Sequence, residues 1–281
     1  MQNKNLIIDG RKIAEAIKDE IALTIFNSKE RRPSLAIILV GERPDSELYV
    51  NLKEREAKKV GIDTHSYRLE DGTSEKELLS VIDFLNKDEA VDAILLQLPL
   101  PAHLNADKMV AAINPLKDAD GFHPQHPAYV SSPVISAVDY IVRNYKIQGR
   151  ACVFFRSLAF AQPLKDRLQS LGLAVDLLAV SEKEDPRSDL LLCGRLSQVS
   201  RKANLIVTAL GLPGFLNQEY LQPETVIVDV GITKEENKVY GDVDFNAVIK
   251  KAAAITPVPG GIGPMTIAFL FQNVLEIYRH R

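Results

Sequence analysis

The distribution of apolar residues predicts a chain in which strands and helices alternate. Six short runs rich in Leu, Ile and Val have the length and continuity of buried parallel strands: Leu35–Val40, Val91–Leu96, Ala151–Phe155, Ala174–Val180, Leu205–Ala209 and Val226–Val230. Longer amphipathic segments are predicted helices: Arg11–Phe26, Ser46–Val60, Ser74–Asn86, Ser136–Tyr145, Gln162–Leu171 and Met265–Tyr278. Such alternation favours an α/β architecture with mostly parallel strands.

A loop-like stretch, Asp118–Pro133, divides the predicted units into two series. It holds three prolines, two histidines and a glycine, a composition typical of irregular backbone. We therefore predict two lobes, residues 1–120 completed by the C-terminal helix 265–281, and residues 121–264. A crevice between two such lobes is the default ligand site. Pro257–Pro264, with three prolines and three glycines, is predicted to be irregular.

Composition narrows the functional classes. The chain has 281 residues, 46% of them hydrophobic, and a formal net charge of −3, so it can bury a large core and lacks the basic excess of nucleic-acid-binding proteins. Neither a signal-peptide h-region in Met1–Ile8 nor an apolar run of about 20 residues is present, which predicts a soluble cytoplasmic protein without a membrane partner. Cys152 and Cys193 lack paired metal-site spacing, so we expect buried thiols and no metal. The charged run Lys29–Arg32 is interpreted as a solvated helix end.

Tyr49 and Lys53 stand one helical turn apart in a predicted helix and therefore share a face. Partial burial or a hydrogen-bond network would lower the lysine pKa and let the amine exchange protons. The spacing alone favours the simpler interpretation of an exposed tyrosine and a solvated lysine. A Tyr-x-x-x-Lys pair also occurs in short-chain dehydrogenases, but there it follows a glycine-rich dinucleotide turn, whereas here it precedes any candidate for one.

Three further short segments, called islands below, carry polar residues or the glycines and prolines that set backbone conformation. Gln97-Leu98-Pro99-Leu100-Pro101 follows a predicted strand, at the edge where open α/β sheets bind ligands. Asp120, in Lys117–His123, offers a carboxylate that suits adjacent ring N–H and NH₂ donors, although an Asx-type turn is the simpler local interpretation. The glycine–proline island before Met265 either lets backbone approach a flat ligand or is a rigid connection into the last helix.

In order and over nearly the whole chain, these islands resemble the bifunctional methylenetetrahydrofolate dehydrogenase/methenyltetrahydrofolate cyclohydrolase family. The Gln-Leu-Pro-Leu-Pro, Asp-x-Asp-Gly-Phe-His-Pro and Thr-Pro-Val-Pro-Gly-Gly-Ile-Gly-Pro-Met-Thr runs are highly specific together. The resemblance implies an N-terminal three-layer α/β catalytic domain and a Rossmann-like, doubly wound dinucleotide-binding domain. It also implies a homodimer.

The resemblance further implies oxidation of 5,10-methylenetetrahydrofolate with NADP⁺, followed by hydrolysis to 10-formyltetrahydrofolate. Lys53 matches the family's catalytic lysine, Tyr49 the tyrosine that packs along the folate, Gln97 the glutamine that holds the lysine, and Asp120 the aspartate that grips the pterin. The other residues expected to contact the folate are Leu98, Pro99, Gly260, Gly261 and Pro264. The residues expected to contact NADP, or NAD, are Phe155, Arg156, Ser157, Ser181, Ile232 and Thr266.

The dinucleotide half departs from the family pattern. Where the family carries Gly-Arg-Ser-x-x-Val-Gly-x-Pro, this chain reads Phe155–Pro163, and both glycines are replaced, by Phe155 and Ala161. Such glycines let a pyrophosphate lie against a helix N-terminus. Two more departures are a longer Glu182–Lys202 stretch and a shortened loop at Val130–Ile135. Three hypotheses follow: the bifunctional enzyme, a cyclohydrolase with weakened or absent dinucleotide binding, and a non-catalytic folate-binding or partner-binding relative.

Overall fold

The computed structural model describes residues 6–181, 187, 189–236 and 238–281. They form two compact units. The three-stranded unit comprises Ala14–Pro133 and Ile267–Arg281, and the six-stranded unit comprises Val134–Thr266 with the residues up to Ile13. All three divisions between the units fall inside helices.

The strands are β1 (Leu6–Ile7), β2 (Ser34–Val40), β3 (Asp63–Leu69), β4 (Ala93–Leu96), β5 (Arg150–Phe155), β6 (Ala174–Ala179), β7 (Leu205–Ala209), β8 (Val226–Asp229), β9 (Thr233–Glu235), β10 (Lys238–Tyr240) and β11 (Ala254–Ile255). The helices are α1 (Gly10–Asn27), α2 (Pro44–Val60), α3 (Glu75–Lys87), α4 (Ala106–Ala112), α5 (Pro133–Asn144), α6 (Leu158–Ser170), α7 (Leu190–Ser200), α8 (Phe245–Val248) and α9 (Ile262–Arg279), with a 3₁₀ turn at Gln218–Tyr220.

The three-stranded unit is a helix–sheet–helix sandwich. Its parallel sheet has the order β3-β2-β4. Alternate residues of β2 enter different cores: Leu35, Ile37 and Leu39 pack with α1, α2 and α9, whereas Ala36, Ile38 and Val40 pack with α3 and α4. Burial of both faces explains why the β2 sequence is continuously apolar.

The six-stranded unit contains a fully parallel sheet of order β6-β5-β7-β8-β11-β1. From β5 the chain first adds β6 on one side and then β7 on the other. This reversal places a topological switch point at the carboxyl ends of β5 and β7, where doubly wound sheets bind ligands. The antiparallel β9–β10 hairpin lies outside this sheet.

The α/β class, the two-lobed organisation and the six predicted strands are confirmed, and each predicted helix is found with bounds that differ by at most four residues. The sequence prediction missed β3, whose Asp-Thr-His-Ser-Tyr-Arg-Leu sequence is polar because this edge strand is only partly buried. It also missed the two-residue strands, the hairpin, α4, α7 and α8, which are too short or too irregular in pattern for periodicity to reveal. Among the described residues, no helix is long and apolar enough to cross a bilayer.

Three local predictions need correction. The Lys29–Arg32 run is not a helix end, because α1 stops at Asn27. Within it, both terminal nitrogens of Arg31 donate hydrogen bonds to the buried Asp92 carboxylate, at 2.7 and 2.8 Å. Cys152 is buried as expected, but Cys193 is only partly buried. The irregular Pro257–Pro264 segment ends earlier than predicted, since α9 starts at Ile262.

The departures from the family pattern lie partly beyond what the structure covers. Residues 182–186 and 188 of the Glu182–Lys202 stretch lie outside the described residues, and Leu190–Ser200 forms α7. The predicted loop at Val130–Ile135 is irregular only up to Ser132, because α5 begins at Pro133. Proline is favoured in the first turn of a helix, where its missing N–H has no partner to lose.

Candidate functional site

Lys53 is held at the centre of the candidate site by a side chain from another element. Its helix, α2, starts with Pro44 and is capped after Val60 by Gly61, which adopts the left-handed conformation common at helix ends. The Lys53 Nζ donates a hydrogen bond of 3.0 Å to the Gln97 Oε1. Lys53 is half-buried, so the solvated lysine of the simpler interpretation is wrong.

Hydrogen bonds fix both the backbone and the side-chain amide of Gln97. It follows β4 directly, and its backbone N–H donates to the Ile38 carbonyl at 2.9 Å, which extends the sheet by one residue. Its side-chain Nε2 donates to the Leu98 carbonyl at 2.6 Å, and this leaves Oε1 to accept from Lys53. Gln97 therefore orients the lysine amine, as well as ending the strand.

Lys53 and Asp120 influence each other electrostatically. Burial lowers the pKa of Lys53, and the negative charge of Asp120 opposes that change. Burial raises the pKa of Asp120 to about 6, with a further contribution from the neighbouring Asp118 and an opposing one from Lys53. A lysine with a lowered pKa close to a carboxyl group with a raised pKa is the kind of pairing that supports proton transfer near neutral pH.

The loop that carries Asp120 is anchored to the sheet. Asp118 forms a parallel bridge with Ile94 of β4, and the Ala119 N–H donates to the Ile94 carbonyl at 3.0 Å. The buried Asp118 carboxylate accepts from the backbone N–H groups of Asp120, at 3.2 Å, and His123, at 2.7 Å. The predicted Asx-type turn is therefore present, but it is formed by Asp118 rather than by Asp120.

Sequence reasoning missed Asn273 on α9, which holds the same loop from the other side. Its Nδ2 donates to the carbonyls of Ala119 and Ser131, both at 2.8 Å, and the residue is buried. The available signal was an amide among the apolar residues of the last helix, because buried amides are retained where they have partners.

We expect Gly121→Ala to destabilise the protein by about 1–3 kcal/mol, because Gly121 has a φ of +62° and an added Cβ would lie 2.8 Å from the Ser131 carbonyl carbon. Denaturant unfolding measures the change. Gly72→Ala is the matched control, since an added Cβ there meets no atom within 4 Å. Equal stability of the two variants would show that the loop does not require glycine.

The other expected folate residues are placed as follows. Tyr49 lies one turn before Lys53 on α2 and is 43% exposed. Leu98 is partly buried and Pro99 is exposed, joined by a cis peptide bond. Gly260, Gly261 and Pro264 belong to the six-stranded unit, where Gly260 has a φ of +111° and Gly261 is buried.

Five of the six expected dinucleotide residues lie at or just beyond the carboxyl ends of β5, β6 and β8. Arg156 directly follows β5, and Ser157 is the first cap residue of α6, without a side-chain capping bond. Ser181 lies just beyond the carboxyl end of the neighbouring β6 and is exposed. Ile232 follows β8 and is half-exposed, whereas the Thr266 hydroxyl donates to the Gly263 carbonyl at 2.7 Å within α9.

Two features of this sheet edge would suit an anionic nucleotide. The Arg156 Nε is buried and has no hydrogen-bond partner among the described residues, as expected of a guanidinium that binds a ligand. The N-terminus of α6 presents backbone N–H groups at the switch point of the sheet. Phe155 and Ala161 are 7% and 0% exposed, so neither replacement projects into solvent from this turn. Within the described ranges, no group of three or more His, Cys, Asp or Glu residues could hold a metal ion.

Comparisons with known proteins assign both parts of the chain to the same family. The family model for the tetrahydrofolate dehydrogenase/cyclohydrolase catalytic domain matches residues 8–120, and the model for the NAD(P)-binding domain of the same proteins matches residues 142–281. The bifunctional protein FolD of Desulfovibrio desulfuricans is 40% identical over 293 residues, which cover 98% of this chain and 99% of that protein.

Solved structures give the same result. The bifunctional methylenetetrahydrofolate dehydrogenase/cyclohydrolase from Campylobacter jejuni is 34% identical, with a TM-score of 0.89 over 98% of this chain and 99% of that one. The Trypanosoma brucei dehydrogenase-cyclohydrolase, solved with NADP and an inhibitor, is 30% identical, with a TM-score of 0.86 over 98% of both chains. This chain therefore belongs to the tetrahydrofolate dehydrogenase/cyclohydrolase family.

Proposed function

We propose that this protein oxidises 5,10-methylenetetrahydrofolate to 5,10-methenyltetrahydrofolate with NADP⁺ and then hydrolyses the methenyl cation to 10-formyltetrahydrofolate. The observation that carries the proposal is the constellation of Lys53, hydrogen-bonded to Gln97, with Asp120 close enough to affect its pKa. We further propose that the protein is a cytoplasmic homodimer, formed through the dinucleotide domain, and that it supplies one-carbon units for purine, methionine and histidine synthesis. Nucleic-acid and membrane partners are not part of it.

The proposal assigns the folate to residues 1–120 completed by 265–281, and the dinucleotide to residues 121–264. Asp120 accepts hydrogen bonds from the ring N–H and NH₂ donors of the pterin, and Tyr49 packs along the folate. NADP⁺, when bound, accepts the hydride. Arg156 and Ser181 are the residues proposed to bind its phosphates, with Ser157 at the helix N-terminus.

In hydrolysis, water adds to the cationic methenyl carbon, a proton leaves, and one carbon–nitrogen bond breaks to give the formyl group. Lys53 is suited to accept and return that proton, because burial lowers its pKa from the usual value of about 10.4. Gln97 orients the amine through its Oε1. This chemistry needs a positioned water, a proton carrier and a shielded site rather than a metal.

Titration of NADP⁺ and NAD⁺ by calorimetry tests the dehydrogenase half, and we expect saturable binding of NADP⁺. Arg156→Ala should raise the Kd by about tenfold or more, since a hydrogen bond to a charged group contributes about 1.5–3 kcal/mol. Lys202→Ala removes an exposed cation close to the opposite, amino edge of β7 and should leave the Kd unchanged. Equal affinity of the parent protein and Arg156→Ala would remove Arg156 from this role.

The second candidate is a cyclohydrolase whose dinucleotide domain has become structural, favoured by the replacement of both loop glycines with Phe155 and Ala161. Paired absorbance assays separate the two candidates. The bifunctional enzyme forms methenyltetrahydrofolate when NADP⁺ is supplied and then hydrolyses it. The cyclohydrolase only hydrolyses it.

A further inference from the structure

Two acidic residues are buried side by side at the carboxyl edge of the six-stranded sheet. Asp229 ends β8 and is 3% exposed, and Asp242 is 0% exposed. In the part of the chain that the structure describes, no Lys, Arg or His forms an ion pair with either carboxyl group. Burying a carboxyl group without a cation is costly unless it is fully hydrogen-bonded, so the bonds that these residues accept indicate what they do.

Asp242 holds the segment that follows β7. Its carboxylate accepts hydrogen bonds from the Thr208 hydroxyl at 2.8 Å, the Leu210 N–H at 2.6 Å and the Leu212 N–H at 2.7 Å. All three donors lie at or just after the carboxyl end of β7. One side chain therefore fixes the backbone of this loop.

Asp229 holds the segments around Gly231 and Asp242. Its carboxylate accepts from the N–H groups of Gly231 at 3.0 Å, Asp242 at 3.2 Å and Val243 at 3.0 Å. The packing is reciprocal: a Cβ on Gly231 would lie 2.1 Å from the Asp242 Cγ, and a Cβ on Gly241 would lie 2.1 Å from the Asp229 Oδ2. Glycine at both positions lets each carboxyl group sit against the other segment.

This Asp229–Asp242 pair lies at the same sheet edge as Arg156, the residue that directly follows β5. In the sheet register Thr208 pairs with Asp229, and Ala209 pairs with Phe155, which directly precedes Arg156. The loops after β5, β7 and β8 therefore emerge side by side at the switch point, where doubly wound sheets bind their ligands. Two of these three loops are fixed by the buried carboxyl groups.

We propose that Asp242 and Asp229 are positioning residues for the dinucleotide, holding the Leu210–Leu212 and Gly231 segments in the conformation that receives it. The proposal rests on the proposed function, since it requires NAD(P) to bind this edge. Supporting side chains of this kind set the geometry of a binding site without touching the ligand.

The electrostatic state of the pair is consistent with a constrained site. Burial and the neighbouring Asp242 raise the pKa of Asp229 to about 7, against the lowering effect of its three backbone donors.

The test compares two substitutions of the same kind at opposite edges of the sheet. Thr208→Val removes the hydroxyl that binds Asp242, whereas Thr225→Val removes an equally buried hydroxyl that donates to the Ala203 carbonyl at the amino edge. We expect Thr208→Val to raise the Kd for NADP⁺ by about three- to tenfold, the range of one lost hydrogen bond, and Thr225→Val to leave it unchanged. Asp242→Asn, which puts an NH₂ against a backbone donor, should weaken binding further.

Two more measurements separate positioning from general stability. Thr208→Ser keeps the hydroxyl and should restore the parent affinity. Without nucleotide, hydrogen exchange in the segment 209–214 should accelerate in Thr208→Val but not in Thr225→Val. Methenyltetrahydrofolate hydrolysis should persist in all three threonine variants.

The outcomes distinguish the two proposals. If the parent binds NADP⁺ and both valine variants bind it equally well or equally poorly, the positioning role is overturned and the proposed function stands. If the parent binds neither NADP⁺ nor NAD⁺, the dehydrogenase half of the proposed function fails and the positioning role fails with it.

Discussion

Lys53→Met is expected to lower methenyltetrahydrofolate hydrolysis by about 10²- to 10⁴-fold, the range typical of a lost general acid–base group. Methionine has a length and shape similar to those of the lysine stem, but it carries no exchangeable proton. It also cannot donate the 3.0 Å hydrogen bond that Lys53 makes to the Gln97 Oε1. Steady-state hydrolysis, followed by the loss of methenyl absorbance, measures the change. Folate binding, measured separately by calorimetry, should largely persist because Asp120 is untouched.

The control for this prediction lies on the same helix. Lys58 is exposed on α2, so Lys58→Met makes the same change without touching Gln97 and should keep the parent rate. Misfolding does not account for the expected loss, since burial lowers the pKa of Lys53 and so disfavours its charged form in the folded protein. The free energy of unfolding of Lys53→Met at pH 7 should equal or exceed that of the parent. Parent-like hydrolysis by this variant would remove Lys53 from the catalytic role.

Asp120→Asn is expected to weaken folate binding by about 10- to 100-fold, because a carboxylate that accepts hydrogen bonds from two ring donors is replaced by an amide that offers one acceptor and an opposing NH₂. Calorimetric titration with a folate measures this loss. The exposed Asp107, on α4 of the same unit, supplies the control, and Asp107→Asn should bind folate like the parent.

The pH dependence gives Asp120 a second, independent signature. Because burial raises its pKa to about 6, the carboxylate that binds folate is lost as the pH falls through about 6. Folate affinity of the parent should therefore fall from pH 7 to pH 5, and Asp120→Asn should lack that component. Since the raised pKa makes ionisation in the folded state unfavourable, the Asp120→Asn variant should be no less stable than the parent at pH 7. An unchanged folate Kd in Asp120→Asn would contradict the assignment.

How much of this could be predicted from the sequence depends on the range of the interactions. The buried strands were predictable because apolar runs such as Leu35–Val40 are covered on both faces. The Tyr49–Lys53 face was predictable from helical spacing, and the Gln97 contact to Lys53 from the family resemblance. The spacing alone favoured a solvated lysine, because nothing local reveals that residue 97, 44 positions away, accepts a hydrogen bond from it.

Other features had no local signal. Asn273 binds carbonyls that are 154 and 142 residues away in the chain, and Asp242 binds donors more than 29 residues away. Such contacts depend on the tertiary fold, which periodicity and turn composition do not encode. The polar edge strand β3 was missed for a related reason, since its place in the sheet comes from its pairing with β2 rather than from its own sequence.

The most direct test of the central claim is the decay of methenyltetrahydrofolate absorbance in the presence of the purified, folded parent protein. The Lys53–Gln97–Asp120 constellation predicts saturable hydrolysis well above the buffer rate, with a folate Kd that depends on Asp120. Decay at the buffer rate, by a protein that binds folate and is folded, would contradict it.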